Sequence, residues 1–128
     1  MTEIVGSVLV LLCLLQVKHM LADYFLQTPK MLSGRGEYFH IGRAQHAGVH
    51  ALGSALSFLI VGSGLGLTVV VVALEWVVHF NIDWGKAKWS DRRGHGPEQA
   101  GFWRAAGFDQ FLHQMTYVAM AWAWAEFG

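Results

Sequence analysis

Long apolar blocks alternate with short polar segments along the whole chain. The blocks cover residues 4–27, about 43–61, 65 to about 83, and about 102–127. Each block is close to the ~20 residues that a helix needs to cross a ~30 Å hydrocarbon core. Because backbone groups in lipid must be paired within their own segment, the pattern predicts four membrane-spanning helices. We therefore predict an all-α, polytopic, integral-membrane four-helix bundle that forms a single domain over residues 1–128.

The composition favours the same location. Hydrophobic residues make up 54% of the chain and charged residues only 14%, which is far more apolar than a soluble domain of this size. The first block follows "MTE", which has no basic residue, and no small-x-small cleavage pattern comes after it. A retained helix is therefore expected rather than a cleaved signal peptide. The single cysteine, Cys13, is expected to act as a small apolar residue.

Basic residues cluster around two of the three predicted loops. They are Lys30, Arg35 and Arg43 at the first loop, and Lys86, Lys88, Arg92, Arg93 and Arg104 at the third. Loops one and three of a four-span protein share a side, and the positive-inside rule places that side in the cytoplasm. Both termini are then expected outside the cytoplasmic membrane. The formal net charge of zero gives no support to a nucleic-acid partner.

Each predicted helix carries a pair of ionisable residues four positions apart. The pairs are His19 and Asp23, His46 and His50, His79 and Asp83, and Asp109 and His113. Residues with this spacing lie on one face of a helix. The pairs occur near the ends of spans one and three and near the starts of spans two and four. Four alternating helices would therefore bring all four pairs into one layer near their cytoplasmic ends.

This layer has the donor types of a metal centre. A charged residue costs roughly 2.5–3.5 kcal/mol at the centre of a membrane helix, so pairing or a bound ion is expected. The five histidines and three aspartates exceed the about four ligands of one zinc ion, and they suit two ions roughly 3.5–4 Å apart. Imidazole and carboxylate donors favour zinc, with manganese or iron(II) as alternatives. A polar network without metal stays open.

Other polar residues are candidates for chemistry beside the metals. Glu75, one turn before His79, is predicted to be a base or a partner of a ligand. Gln27 and Gln110 are candidates to orient a ligand or substrate. Lys86, followed by further basic residues, is a candidate to contact a phosphate or lipid headgroup.

Two glycine-rich loops carry the remaining histidines. His40 and His95 have no ionisable partner at helical spacing, so we leave both outside the predicted site. The segment from Ser90 to Gly101 has the composition of a mobile loop. It is therefore predicted to cover the site from the cytoplasmic side.

The motifs resemble those of a known family. The segments "HMLADYFLQT", "HAGVH", "HFNIDWGK" and "FDQFLHQ" resemble a family of small bacterial membrane proteins called domain of unknown function 3307. The resemblance covers nearly the whole chain and implies a helical domain in the bacterial inner membrane, but it names no reaction. By analogy alone, the histidine pattern is also similar to that of membrane-bound metal-dependent hydrolases related to zinc phospholipases.

These observations favour a metal-dependent hydrolase that acts from the cytoplasmic leaflet on a phosphate or ester of an amphiphilic, lipid-like substrate. A di-iron redox protein is an alternative, although such bundles typically use Glu and Glu-x-x-His ligands. A transporter or channel is disfavoured by the apolar outer halves of the spans. A non-enzymatic scaffold with a structural metal or a polar network also stays open. Membrane lipid is the expected partner, and a homo-oligomer is a further possibility.

Overall fold

The computed structural model describes residues 2–128, which form helices and connecting turns without a strand. The helices are α1 (Glu3–Tyr24), α2 (Pro29–Ser33), α3 (Ile41–Ile60), α4 (Leu65–Arg93) and α5 (Ala100–Phe127). The all-α prediction is confirmed, and the four long helices match the four apolar blocks. The short helix α2 was not predicted; it lies in the first loop, where Thr28 caps its start by accepting from the Met31 amide at 3.3 Å.

The four long helices pack in a closed ring. Helices α1 and α4 lie opposite each other, and each packs against both α3 and α5, while α2 packs against α3. The contacts show that neighbours are antiparallel. For example, Lys18 of α1 meets His50 of α3, and the later residue Asp23 meets the earlier residue His46. The ring therefore encloses a single interior to which every long helix contributes.

This interior is divided along its length into an apolar half and a polar half. The apolar half, toward the termini, is formed by Leu11, Leu15, Phe58, Val71, Tyr117, Met120 and Ala121. The other half holds buried histidines and carboxylates. Helix α3 approaches α1 closely between these halves, because a Cβ at Gly53 would lie only 3.0 Å from the Cβ of Lys18. Small residues such as Gly53 on α3 allow this close helix contact.

Within residues 2–128, two helices, α1 and α4, are long and apolar enough by composition to cross a membrane. Helices α3 and α5 carry more polar residues, and Arg43, His46, His50, Asp109 and His113 among them are buried in the bundle. Their outward faces expose large apolar side chains, among them Leu52, Leu56, Phe111 and Trp122, each more than half exposed. The bundle thus combines a partly polar interior with many large apolar side chains on its surface.

The predicted bounds of the mobile loop, Ser90 to Gly101, are wrong at both ends. Helix α4 continues through Trp84 to Arg93, and α5 already begins at Ala100. Gly94 follows the last residue of α4 and caps the helix. It adopts a left-handed φ of 61° and donates its amide to the Ser90 carbonyl at 2.9 Å. Glycine is favoured at this position because it has no Cβ to clash. The connection is therefore reduced to residues 94–99, and the cytoplasmic loop predicted from Trp84 is mostly helix.

Arg43, predicted as a loop charge, is instead buried and fixes the first loop to α4. Its guanidinium donates to the backbone carbonyls of Glu37 at 3.0 Å, Tyr38 at 2.5 Å and Phe80 at 2.5 Å. It also stacks 3.9 Å above the Phe80 ring. At the adjacent Gly42, a Cβ would lie 2.1 Å from the Lys30 carbonyl oxygen, so the close approach of the α2 segment requires glycine.

A buried ion pair separates the two halves of the interior. The Lys18 ammonium pairs with the Glu75 carboxylate, and their side chains are 8% and 1% exposed. The ammonium also donates to the His50 carbonyl at 3.3 Å and lies 4.6 Å from the Tyr117 ring centre. The ion pair thus connects α1 and α4, which lie on opposite sides of the ring.

Breaking this pair from one side should destabilise the bundle. In Lys18→Met the Glu75 charge stays buried without its partner, which typically costs about 3–5 kcal/mol. We expect a loss of that size in the free energy of unfolding, measured in detergent micelles with a chelator present to remove any contribution of metal. The double variant Lys18→Met, Glu75→Leu should recover most of the lost free energy of unfolding, because an apolar pair of similar volume often leaves stability unchanged.

Lys30→Met, on the exposed α2, is the control. An equal loss in the single and double variants would contradict this role.

Candidate metal centre

Histidines from all four long helices meet in one buried layer. They are His19 on α1, His46 and His50 on α3, His79 on α4 and His113 on α5, each at most 6% exposed. Every one of their Nε2 atoms lies 2.8–3.2 Å from a carboxylate oxygen of Asp23 or Asp83. The i, i+4 spacing places these side chains on the inward stripe of each helix. The polar pairs of the sequence therefore lie side by side.

Two sets of side chains in this layer offer donors close enough for a shared ion. The first set is Asp23, His46, His50 and His79, and the second is His79, Asp83 and His113; within each set the donor atoms lie within 4.8 Å of one another. Ligands at ~2.0–2.2 Å from a tetrahedral zinc are about 3.3–3.6 Å apart. Each set therefore fits a metal ion with small side-chain movements. His79 belongs to both sets, but a neutral imidazole has one lone pair to give, so His79 would bind one ion and lie beside the other.

Unpaired buried nitrogens support the same interpretation. Both ring nitrogens of His79 and the Nδ1 of His46 are buried without a hydrogen-bond partner. Nε2 of His79 lies 3.0 Å from Asp83 Oδ2, but the angle is not that of a hydrogen bond. A buried polar group left without a partner costs about 1–3 kcal/mol. A metal bound at one ring nitrogen of His79 would remove this cost for that nitrogen, since its lone pair would have an acceptor.

The charge of the layer also favours a cation. Three carboxylates, those of Asp23, Asp83 and Asp109, lie among the histidines, and a histidine that binds a metal is neutral. The cation nearest to them is Lys86, whose Nζ is 3.5 Å from Asp109 Oδ2. Lys18 is already paired with Glu75. With the histidines neutral, as metal ligands are, the three carboxylates carry more charge than Lys86 compensates, and divalent cations would balance the remainder.

His19 and Asp109 lie in the layer but belong to neither set. Gln110 connects them: its carbonyl oxygen accepts from His19 Nε2 at 2.8 Å, and its amide donates to Asp109 Oδ2 at 3.2 Å. The Tyr117 hydroxyl donates to the other nitrogen of His19 at 2.7 Å. In this arrangement His19 Nε2 holds a proton, so it offers no lone pair to a metal. The ligand roles of His19 and Asp109 stay predictions, whereas Gln110 contacts the layer as expected.

The other predicted residues lie around this layer. Glu75 does not contact the carboxylates; it holds Lys18, whose Nζ lies 3.4 Å from Nδ1 of His50. Lys86 reaches the layer through Asp109. Gln27 lies further out, where its oxygen accepts from Arg35 at 3.5 Å. Of these residues, Lys86 has the most direct access to the carboxylates.

The sequence did not assign a role to Lys18 or Tyr117, and each carried a usable signal. Lys18 is the one basic residue inside the first apolar block, where a charge needs a partner. Tyr117 follows His113 by four positions and so extends the stripe of Asp109 and His113. Lysine and tyrosine are not among the usual metal ligands, so a pattern of ligand types does not include either residue.

A chamber of about 390 Å³ gives access to the layer from the α2 end of the bundle. Asp23, His46 and Asp83 form part of its wall, so both sets of donors face it. Arg35 and Lys86 also line it. A small molecule in this chamber would therefore lie beside candidate metal ligands and beside three cations, Arg35, Arg43 and Lys86.

Residues 10–127 match a family described as a protein of unknown function (DUF3307). The chain belongs to this family, and the resemblance drawn from its four motifs is confirmed. No curated protein and no solved structure matches the chain.

The shared position of His79 yields a prediction for metal content. In protein purified without a metal-affinity tag, His79→Ala should lower the content of bound metal, as measured by elemental analysis, because both sets contain this donor. His46→Ala and His113→Ala should each lower it as well, and the combined loss should be less than additive because the ligands act as a unit.

His95→Ala is the matched control and should keep its metal. His40→Ala is less suitable, because the His40 ring caps α3 by accepting from the Gly42 amide at 3.1 Å. If His46→Ala lost metal while His113→Ala retained all of it, a layer shared by α3 and α5 would be contradicted.

Proposed function

We propose that this DUF3307 member is an integral-membrane, metal-dependent hydrolase that acts on a phosphate or ester group of an amphiphilic substrate. The observation that carries the proposal is the pair of His/Asp sets that share His79 and border a chamber lined by cations. Two divalent ions in such a site would activate water near neutral pH and neutralise charge on a phosphoryl group. Zinc is the first choice for this donor set.

The residues around the chamber have separate proposed roles. Asp23 and Asp83, with the histidines of the two sets, would hold the ions. Lys86 and Arg35 would bind the anionic group of the substrate, since both line the chamber. Asp109 is the proposed proton acceptor, because it lines the chamber without belonging to either set.

Glu75 was a candidate base, but a supporting role fits it better. Its carboxylate is paired with Lys18, and it does not line the chamber. Through Lys18 it would hold His50 in place, since the Lys18 ammonium contacts both the ring and the carbonyl of His50. We therefore assign Glu75 to the support of a ligand rather than to proton transfer.

The membrane part of the proposal is that all four long helices cross the bacterial inner membrane, with both termini outside. The apolar outward faces of α3 and α5 support this arrangement, together with the hydropathy of α1 and α4. At 1.5 Å per residue, His79 lies about 21 Å along α4 from Leu65. In a hydrocarbon core of ~30 Å that begins at Leu65, this position lies in the inner leaflet, about 9 Å from the inner boundary.

Activity should depend on the metal. With a chromogenic phosphodiester that carries an alkyl chain, a chelator should abolish hydrolysis and added zinc should restore it. Lys86→Gln should raise KM several-fold with a smaller effect on kcat, because a phosphate contact would be lost. Arg92→Gln is the control with unchanged rates, because Arg92 lines neither cavity. Full turnover in chelator, or oxygen-dependent oxidation of the substrate, would reject the hydrolase. Stoichiometric metal without hydrolysis of any phosphate or ester probe would favour the structural scaffold.

The proposed topology can be tested with reporter fusions. A phosphatase that is active only outside the cytoplasm should be active after Gly128 and inactive when inserted at Gly36. The reason is that Gly36 lies in the loop that carries Lys30 and Arg35. A fluorescent protein that matures only in the cytoplasm should give the opposite result. A C-terminal fusion that works only in the cytoplasm would refute this orientation.

A further inference from the structure

A second and larger cavity lies on the outside of the bundle, between α4 and α5. This α4–α5 groove has a volume of about 1010 Å³. Its lining includes the apolar side chains of Val77, Ile82, Phe108 and Leu112 and the basic side chains of Lys86, Arg93 and Arg104. It shares Lys86 and Asp109 with the chamber beside the candidate metal centre. The two cavities therefore meet at the same lysine and carboxylate.

The groove has an apolar end and a basic end. Along α4 the apolar Val77 and Ile82 come before Lys86 and Arg93, whereas along the antiparallel α5 the basic Arg104 comes before Leu112. The two helices thus bring apolar residues together at one end and cations together at the other. The acidic residue that lines the groove, Asp109, is buried and lies 3.5 Å from Lys86. The basic end therefore keeps an excess of positive charge.

We infer that this groove binds one anionic phospholipid, and that such a lipid is the substrate class of the enzyme. Its phosphate would lie among Lys86, Arg93 and Arg104, and an acyl chain would follow Val77 and Leu112. Basic side chains close to a membrane surface attract anionic headgroups. The inference rests on the proposed function, because it takes the chain as a membrane protein whose metal centre faces the chamber that adjoins the groove.

The dimensions of the groove suit one leaflet. The distance from Val77 to Arg93 along α4 is about 24 Å at 1.5 Å per residue, and half of a bilayer with its headgroups is about 20–22 Å. Trp89, which is 51% exposed, lines the basic end. The Arg93 guanidinium lies 4.7 Å from its ring centre. Tryptophan and arginine at this level are typical of the membrane interface.

A glycine in the groove allows a clean test. A Cβ at Gly85 would meet nothing within 4 Å, so a larger side chain there would extend into the groove without a clash. Gly107 is its matched control: it is also exposed, helical and open to a Cβ, but it does not line the groove. Leucine favours helix over glycine at both positions. Gly85→Leu should therefore block the groove, and Gly107→Leu should leave it open.

The experiment compares lipid retention by the full chain in detergent, measured by native mass spectrometry. We expect one phosphatidylglycerol to be retained at least tenfold more than phosphatidylcholine with the same chains. Gly85→Leu, and separately Arg93→Gln combined with Arg104→Gln, should reduce this retention at least tenfold. Gly107→Leu and Arg92→Gln should keep this lipid retention.

Equal retention of the two lipids, or equal retention by Gly85→Leu and Gly107→Leu, would overturn the proposal. A lipid-free dimer that Gly85→Leu disrupts and Gly107→Leu does not would also overturn the proposal, because a second copy of the chain would then occupy the groove.

Metal content and turnover on the same samples separate this inference from the proposed function. Gly85→Leu should lower turnover of phosphatidylglycerol at least tenfold, while its metal content and its turnover of a short-chain soluble ester stay unchanged. Hydrolysis of the soluble ester without selective lipid retention would overturn the groove and leave the hydrolase. Selective retention with no hydrolysis of any probe would overturn the substrate assignment together with the hydrolase, and it would support the groove as a lipid site alone.

Discussion

The need to pair ionisable groups inside a helical bundle governs most of this structure. Five histidines and three aspartates enter the interior from four helices, and each must find a partner because unpaired polar groups there are costly. The helices meet part of this need by aligning their i, i+4 stripes, so that Asp23 and Asp83 each contact several imidazoles, while the ring nitrogens of His79 stay without a hydrogen-bond partner. One layer of contacts thereby fixes the position of all four long helices relative to one another.

The surroundings of the layer serve the same requirement. The buried Lys18 and Glu75 neutralise each other on the apolar side, next to His50. On the other side, Arg43 binds three backbone carbonyls and holds the first loop against α4. The chamber opens between this loop and the layer. Polar groups are thus paired on both sides, and the chamber reaches the layer from the face that bears Arg35, Arg43 and Lys86. This asymmetry is what suits the site to the anionic substrate that we propose.

Local patterns predicted much of this arrangement. The apolar blocks predicted the four long helices, and the repeated spacing of four residues predicted that their polar pairs would share a layer. Contacts between distant segments were not predictable in the same way. The pairing of Lys18 with Glu75 and the link from Gln110 to His19 depend on how α1 packs against its neighbours. The extension of α4 to Arg93 was missed because its polar last turns resemble a loop in composition, and only the stop at Gly94 marks the true end.

The central claim is that this layer binds metal through imidazole and carboxylate ligands. X-ray absorption spectroscopy at the metal edge, on protein purified without a metal-affinity tag, tests it most directly. The account predicts stoichiometric metal with nitrogen and oxygen ligands at ~2.0–2.2 Å, the scattering pattern of several imidazoles, and a second metal at roughly 3.5–4 Å. Protein that contains no stoichiometric metal, or a metal surrounded only by water oxygens without imidazole scattering, would contradict it.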